Sequence, residues 1–334
     1  MAQLVLVSRV LFAILIAVIG RTLRRLFRGP IVPSWSWSVE MTVVAMRALI
    51  MSSSKGGDRT DRRSLEAKFN PSLPAGMRDV ISVLPGSVGG VPGEWHERRG
   101  AFEDLYTILY LHGGAYLSGN PATHRRFVAQ LTWNTHTRAF VPDYRLAPAH
   151  PFPAALDDAL AAYLGLLEEG IEPGRIVLAG DSAGGGLAAA LLLRLRDEDR
   201  PLPAGSIFFS PYTDLEHRGE SLIRNWRTDY LPLGEAIPNH GYIGTADPRH
   251  PYISPMYGDF SGISPMLVFA GGKEMILDDS VSLVEAARRD GVDVDLIIEP
   301  DMFHVWPALL PKHAATARTL AKSAEFLMNR VASA

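Results

Sequence analysis

The 334-residue chain contains no cysteine. The absence of thiols excludes disulfide bonds, iron–sulfur clusters, thiolate zinc sites and a cysteine nucleophile, but it does not fix the cellular compartment. The chain also lacks a large excess of charge of either sign, since it contains 33 Lys and Arg and 36 Asp and Glu. Nucleic-acid binding needs a basic surface, so we expect no nucleic-acid partner. Apolar residues make up 47% of the chain and charged residues 21%, which is typical of a packed globular protein.

The first forty residues lack an apolar run long enough to cross a bilayer, which takes about 20 residues. Their longest apolar run is 10–19, and arginines lie at positions 9, 21, 24, 25 and 28. A signal peptide fits poorly because the main basic cluster follows the run. Two interpretations stay open, with secretion or a membrane span as a third. One is a cap helix whose apolar face covers the core, and the other is a helix that lies on anionic lipid.

Apolar runs and amphipathic stretches alternate beyond a polar segment at 51–66, which we interpret as a mobile loop. The composition and periodicity predict strands at 105–111, 139–142, 175–179, 205–209, 266–270 and 292–298, and helices at 153–167, 183–196, 280–289 and 313–328. This alternation predicts an α/β fold with a mostly parallel sheet and helices on both faces.

One long segment, 214–264, breaks this alternation and is rich in proline and aromatic residues. A structureless loop of that length is unusual inside a compact domain, so we expect an inserted cap there. The N-terminal residues 1–50 would complete the cap, with 1–25 as an extension beyond it. The predicted catalytic domain then consists of 67–213 and 265–334.

The strongest chemical signal is the sequence GDSAG at 180–184, which matches G-x-S-x-G and lies between a predicted strand and a predicted helix. Bulky side chains two positions either side of Ser182 would collide at such a sharp turn, and glycine removes the clash. The pattern predicts that Ser182 is a nucleophile at the carboxyl end of the sheet. We interpret Asp181 as a residue that braces this turn or the loop next to it through hydrogen bonds.

A second motif, HGGA at 112–115, follows the first predicted strand. An acyl-transfer enzyme needs backbone N–H groups that point at the oxyanion of its tetrahedral intermediate, and glycines allow the substrate to approach them. We predict that the donors are the N–H groups of Gly113, Gly114 and Ala183. His112 would brace this loop.

The serine needs a base, and position selects one of the ten histidines. His304 follows the last predicted strand and precedes the last predicted helix, where the chain order serine, acid, histidine places the base. The only later histidine, His313, lies inside the final helical pattern. We therefore predict His304 as the base.

The acid must lie between the serine and the base, and carboxylates compete for this role after the strand at 266–270. Glu274 comes first after the strand, where the acid of such a triad projects from the sheet. Asp278 and Asp279 lie where a helix begins, a position at which Asp commonly caps the helix. We predict Glu274 as the acid that orients His304, with Asp278 as the alternative.

Five motifs taken together resemble the hormone-sensitive-lipase-like esterases, the bacterial family IV lipolytic enzymes. They are HGGAY, DYRLAP with HPFPAALDDAL, GDSAGG, SPYTDL and MFHVW, and the similarity runs in register from about residue 28 onward. The resemblance implies an α/β-hydrolase fold with a cap. It also implies an enzyme that hydrolyses carboxylic esters of short or medium acyl chain without a cofactor or metal ion. It places the nucleophile on Ser182, the base on His304 and the oxyanion glycines on Gly113 and Gly114. Glu274 stands where many members have aspartate.

The expected partner is therefore a small-molecule ester. The same triad would also serve a lactone, amide or acyl-sugar hydrolase. A non-catalytic receptor of this fold is a further alternative, against which the presence of His304 argues. We expect a cytoplasmic protein. Peripheral membrane contact through residues 1–28 and a homodimer stay open.

Overall fold

The computed structural model describes residues 2–54, 73–100, 106–232 and 240–331. The described strands, which form one sheet, are β1 (Ile81–Val88), β2 (Val91–Arg98), β3 (Thr107–Leu111), β4 (Arg138–Pro142), β5 (Ile176–Asp181), β6 (Gly205–Phe209), β7 (Met266–Gly271) and β8 (Val294–Glu299). Their order across the sheet is β1-β2-β4-β3-β5-β6-β7-β8. β2 pairs antiparallel with β1 and β4, and the other neighbours pair in parallel. The predicted α/β class with a mostly parallel sheet is confirmed.

Helices cover both faces of this sheet. The described helices are α1 (Ala2–Arg28), α2 (Trp37–Ser54), α3 (Ala75–Arg78), α4 (Pro121–Thr135), α5 (Ala154–Glu168), α6 (Ala183–Asp197), α7 (Ser221–Arg224), α8 (His240–Ile243), α9 (Leu277–Arg289), α10 (Trp306–Leu309) and α11 (Ala314–Val331). Helices α5, α6 and α9 pack on one face, and α2, α4 and α11 pack on the other. The side chains of β3 alternate between two hydrophobic cores, one on each face of the sheet. Leu109 and Leu111 belong to the core beneath α5, α6 and α9, and Ile108 and Tyr110 belong to the core on the other face.

The predicted strands and helices are all present, with boundaries shifted by a few residues. The prediction missed β1, β2 and several helices, among them α3, α4 and α10. β1 contains Pro85 and Gly86, which normally indicate a turn but are tolerated in an edge strand. The start of α4 is fixed by Asn120, whose side chain accepts the N–H of Thr123 at 3.0 Å. The loop predicted at 51–66 is wrong at its start, because residues 51–54 form the last turn of α2, and the rest of it lies outside the described residues.

The segment predicted as a cap insertion, 214–264, connects β6 to β7 and contains the short helices α7 and α8. Residues 233–239 within it lie outside the described residues. The segment contacts the N-terminal part of the chain, because Arg47 of α2 donates to the carbonyl oxygens of Trp226, at 2.5 Å, and Asp229. The division into a catalytic domain and a two-part cap stays a prediction.

Helix α1 packs on α2 along a side that carries Arg21 and Arg25 and also the buried Val10. The fully buried carboxylate of Glu40 on α2 accepts hydrogen bonds from the guanidinium groups of Arg21 and Arg25. The opposite side of α1 is apolar and exposed, with Phe12 65% and Phe27 88% exposed. These exposed apolar side chains therefore do not cover the core, and the role of α1 in a cap stays a prediction. No helix in the described ranges has the length and apolarity that a membrane span requires.

The substitution Glu40→Gln should loosen α1 from α2, because it leaves two guanidinium groups without their buried carboxylate. Breaking a buried ion pair from one side costs about 3–5 kcal/mol, and the lower end applies here because both arginines are partly exposed. We expect amide hydrogen exchange within α1 to become faster on the order of 100-fold. The control Glu325→Gln removes an exposed carboxylate on α11 and should leave exchange in α1 unchanged. Equal exchange in both variants would contradict this account of the helix pair.

Candidate active site

Ser182 lies at the turn between β5 and α6, and its backbone is held in the left-handed region with a φ of +51°. Such a φ is uncommon for a residue other than glycine and marks a strained turn. The turn is fixed from both sides, because the N–H of Ser182 donates to Phe209 O at 3.0 Å and its carbonyl accepts the N–H of Tyr212 at 2.8 Å. The strained backbone therefore presents a half-buried hydroxyl at the N-terminus of α6.

Two glycines make this turn sterically feasible, as the sequence motif predicts. A Cβ atom on Gly184 would lie 2.0 Å from the carbonyl oxygen of Leu111, and one on Gly180 would lie 2.5 Å from the carbonyl carbon of Gly184. Both neighbours are backbone atoms, which cannot move aside as a flexible side chain can. The absence of side chains at these positions lets β5, α6 and the loop after β3 pack against one another.

His304 and Glu274 meet at the carboxyl edge of the sheet, in the loops after β8 and β7. His304 Nδ1 lies 3.3 Å from Glu274 Oε2, and the two side chains are 2% and 0% exposed. The loop of His304 is also tied to the loop after β6, because the Val305 N–H donates to Ser210 Oγ at 3.1 Å. The described hydrogen bonds of His304 do not include the Ser182 hydroxyl. Such bonds are often long without substrate, so the geometry remains compatible with His304 as the base.

The protonation of His304 depends on its buried carboxylate neighbours. Burial alone lowers the pKa of the imidazole, but the hydrogen bond and charge of Glu274, together with the charges of Asp229 and Asp181, raise the pKa above its ordinary value of 6.5. The neutral imidazole is the form that accepts a proton from a nucleophile. Activity should therefore fall as the pH drops through this raised pKa.

Asp278, the alternative acid, has its hydrogen-bond partners in α7 and not in the loop of His304. Its Oδ2 accepts the N–H of Ser221 at 2.9 Å, and its Oδ1 lies 3.2 Å from Arg224 Nη2. It thus links the first turn of α9 to α7 of the predicted cap. The structure brings Glu274, and not Asp278, to the histidine.

The first N–H group of the HGGA glycines, in the loop after β3, already donates a hydrogen bond within the protein. The Gly113 N–H donates to Asp181 Oδ1 at 3.0 Å, so in this structure it is not free for the oxyanion role predicted for it. The N–H groups of Gly114 and Ala115 have no acceptor among the described hydrogen bonds. Ala183 is the first residue of α6, where an N–H has no intrahelical acceptor. The geometry therefore favours Gly114, Ala115 and Ala183 as the donor set.

Asp181 connects the nucleophile strand to this loop. Its Oδ1 accepts the Gly113 N–H and, at 2.7 Å, the Tyr110 hydroxyl, and it lies 3.3 Å from His124 Nε2. Burial raises the pKa of Asp181, but the charge and hydrogen bond of His124 and the hydrogen bond of Tyr110 outweigh it, so the pKa lies below its ordinary value. An ionised Asp181 can hold the loop in place, which is the bracing position predicted for it.

His112 is buried at the start of the same loop. Its ring stacks on Tyr144 with the centroids 4.2 Å apart, and the Tyr144 hydroxyl donates to His112 O at 2.6 Å. His112 Nδ1 lies 2.9 Å from Gly113 O. These contacts fix the strand end from which the oxyanion loop starts, as expected for a supporting residue.

One buried carboxylate of this site, Asp229, was not predicted from the sequence. It lies in the segment between β6 and β7, and it accepts the N–H of Met275 at 2.6 Å and that of Tyr230 at 2.7 Å. Its Oδ1 also lies 3.4 Å from the backbone N of His304. Asp229 therefore contacts the loop of the base and the residue that follows Glu274.

The charge on Asp229 is tuned by its surroundings. Burial raises the pKa of Asp229 to about 6, against the opposing effects of His304 and of the Met275 and Tyr230 N–H groups. When ionised, it adds a second negative charge near the imidazole, beside that of Glu274. We infer that Asp229 is a positioning residue for the histidine loop.

In the described ranges, no group of three or more His, Cys, Asp or Glu side chains is arranged to hold a metal ion. The expectation that the chain works without a cofactor or metal stays a prediction.

Known proteins resemble this chain over most of its length. A family model for the alpha/beta hydrolase fold matches residues 108–308. The chain is 42% identical over 246 residues to an acetyl-hydrolase of Streptomyces hygroscopicus, which covers 73% of this chain and 79% of the relative. It is 36% identical over 253 residues to an esterase of Acinetobacter venetianus, which covers 74% of this chain and 82% of the relative.

Solved structures show the same similarity. An esterase from the bacterial hormone-sensitive lipase (HSL) family aligns with a TM-score of 0.79 at 37% identity, over 87% of this chain and 98% of that chain. The esterase EstE5, in a crystal soaked with p-nitrophenyl butyrate, aligns with a TM-score of 0.79 at 34% identity, over 87% and 99% of the two chains. The fold, the site and these relatives agree, and the chain belongs to the hormone-sensitive-lipase-like esterases of the α/β-hydrolase fold.

Proposed function

We propose that this chain hydrolyses carboxylic esters of short to medium acyl chain through a covalent acyl-enzyme on Ser182. The observation that carries the proposal is the strained turn that holds the Ser182 hydroxyl at the N-terminus of α6. A strand-to-helix turn of this kind is the geometry of a nucleophile elbow. The relatives named acetyl-hydrolase and esterase, and the structure soaked with p-nitrophenyl butyrate, support small acyl groups.

The proposed reaction proceeds in two halves. His304 Nε2 removes the proton from Ser182 as its oxygen attacks the ester carbonyl, and Glu274 stabilises the imidazolium through Nδ1. The N–H groups of Gly114, Ala115 and Ala183 hold the oxyanion. The imidazolium then protonates the departing alcohol, and water releases the acid from the acyl-enzyme by the same route.

Lactone, amide and acyl-sugar hydrolysis would use the same steps, so the acyl and leaving groups must be tested directly. Initial rates on p-nitrophenyl esters from acetate to palmitate, with lactones and anilides alongside, should give the highest kcat/KM among the short and medium esters. A higher kcat/KM on palmitate, a lactone or an anilide would contradict the proposed substrate class.

A cytoplasmic location and a homodimer stay predictions.

The first prediction about individual site residues tests the nucleophile. Ser182→Ala should lower kcat on the order of 10⁶-fold, as removal of a serine nucleophile does in other triad enzymes. The fold should persist because the change removes one oxygen atom. Ser87→Ala removes an exposed hydroxyl on β1 and should leave kcat unchanged. An organophosphate should label the wild-type chain at Ser182, as located by peptide mass spectrometry, and labelling of another serine instead would contradict the assignment.

The second prediction separates the two candidate acids. Glu274→Gln should lower kcat on the order of 10³–10⁴-fold, because the imidazolium loses its counter-charge. Removing Glu274 also removes the main cause that raises the pKa of His304, so the acidic limb of the kcat/KM profile should move to lower pH. Asp278→Asn should change neither quantity appreciably, because Asp278 contacts α7. If Asp278→Asn has the larger effect, Glu274 is the wrong acid.

The third prediction tests Asp229 as a positioning residue. Asp229→Asn should lower kcat about 10–100-fold, since a hydrogen bond to a charged group is worth about 1.5–3 kcal/mol. It should also move the acidic limb of kcat/KM to lower pH, by less than Glu274→Gln does, because one charge that raises the pKa of His304 is gone.

A matched control is available in Asp279→Asn. Asp279 is also buried and accepts two backbone N–H groups, those of Thr213 and Asp214 at 2.8 Å each, but it has no hydrogen bond to His304. This variant should lose stability without moving the acidic limb. If both variants leave the limb in place, Asp229 has only a structural role.

A further inference from the structure

An apolar stripe runs along the outward side of α1. Its members are at least 47% exposed and are Leu11, Phe12, Leu15, Ile16, Ile19, Leu23, Leu26 and Phe27. Positions 12, 16, 19, 23 and 26 are separated by three or four residues, so their side chains lie on one face of the helix. A contiguous apolar surface of this extent is rare on soluble proteins unless something binds it.

The side of α1 that packs on α2 fixes the orientation of this stripe. Arg21 and Arg25 turn inward to the buried Glu40, and Arg21 Nη2 also donates to Gly29 O at 2.9 Å. Arg25 Nη2 donates to Trp35 O at 2.7 Å. Turning the stripe inward would break these bonds and leave a buried carboxylate without its partners, at a large cost. The structure therefore holds the apolar side outward.

Three further arginines, Arg9, Arg24 and Arg28, are exposed on α1, and none of them forms an ion pair with a described residue. The sequence of α1 contains no acidic residue. On a helical projection Arg9 lies beside one end of the stripe and Arg24 lies along its edge, whereas Arg28, in the last turn, lies on the side of Arg21. An apolar stripe with arginines at its margin is the pattern of a helix that lies in the interface of an anionic bilayer.

We propose that α1 docks the chain on an anionic membrane surface, with the apolar stripe among the acyl chains, Arg9 and Arg24 on the lipid headgroups, and the exposed Arg28 adding positive charge at the end of the helix. Long arginine side chains can reach headgroups while the stripe enters the acyl region. The charge pattern disfavours a second copy of the chain as occupant, because a two-fold pairing of these stripes would bring the arginines of both copies together. An anionic lipid surface supplies the complementary charge.

The test uses the full-length chain and vesicles of phosphatidylcholine, either alone or mixed with phosphatidylglycerol. We expect cosedimentation with the mixed vesicles only, and weaker binding as sodium chloride is added, because salt screens surface charges within about 8 Å at physiological ionic strength. The triple variant Arg9→Gln, Arg24→Gln, Arg28→Gln should bind on the order of 100-fold more weakly. The triple variant Phe12→Ser, Leu23→Ser, Phe27→Ser should lose binding.

Matched controls exclude general effects of charge and surface polarity. The triple variant Arg200→Gln, Arg249→Gln, Arg289→Gln changes net charge by the same amount at other exposed positions, and it should bind as the wild type does. The triple variant Leu84→Ser, Ile223→Ser, Met328→Ser removes exposed apolar side chains elsewhere and should also bind normally. All variants should hydrolyse p-nitrophenyl acetate at the wild-type rate, which shows that they are folded.

Three results would overturn the proposal. The first is failure of the wild-type chain to bind the mixed vesicles. The second is binding to both kinds of vesicle that salt does not weaken. The third is a dimer in light scattering that the Phe12, Leu23, Phe27 variant converts to monomer, without vesicle binding by the wild type, and it would assign the stripe to a second copy of the chain.

Discussion

The geometry of the site depends on one buried carboxylate, that of Asp181, which joins the nucleophile strand to the oxyanion loop. Asp181 directly precedes the serine and holds the Gly113 N–H across 68 positions of sequence. Its hydrogen bonds keep the loop at a fixed distance from the turn, and they decide which N–H groups stay available. Because Gly113 is occupied, the free donors are displaced one residue along the loop, to Gly114 and Ala115. The position of the oxyanion is thus set by a residue that takes no part in proton transfer.

A second set of contacts joins the catalytic loops to the elements that cover them. Asp229 holds the Met275 N–H and lies near the backbone of His304, and Arg47 of α2 binds the carbonyl of Asp229 in turn. The N-terminal part of the chain reaches the same loop a second way, because the Trp35 indole N–H donates to Asp301 O at 2.5 Å. The helix pair that carries the apolar stripe is therefore attached directly to the loop of the base. Its placement and the placement of His304 are physically linked.

The sequence predicted those parts of the site that depend on local pattern and chain order. Ser182 could be identified from a five-residue motif between a strand and a helix, and Glu274 and His304 from their order after successive strands. The occupied Gly113 N–H and the role of Asp229 could not be predicted, because each depends on a pairing between residues far apart in the chain. β1 was missed for a different reason, since an edge strand tolerates the proline and glycine that usually indicate a turn. The direction of the α1 stripe was also unpredictable, because the helix alone does not reveal that Glu40 binds its arginines.

The most direct test of this account is a crystal structure of the chain inhibited by an alkyl phosphonate, whose phosphoryl oxygen occupies the position of the oxyanion. The account predicts phosphorus bonded to Ser182 Oγ. It predicts the phosphoryl oxygen within about 3 Å of the N–H groups of Gly114, Ala115 and Ala183, the usual length of such hydrogen bonds. The Gly113 N–H should remain on Asp181. Phosphorus on another residue, or a phosphoryl oxygen bound by the Gly113 N–H, would contradict it.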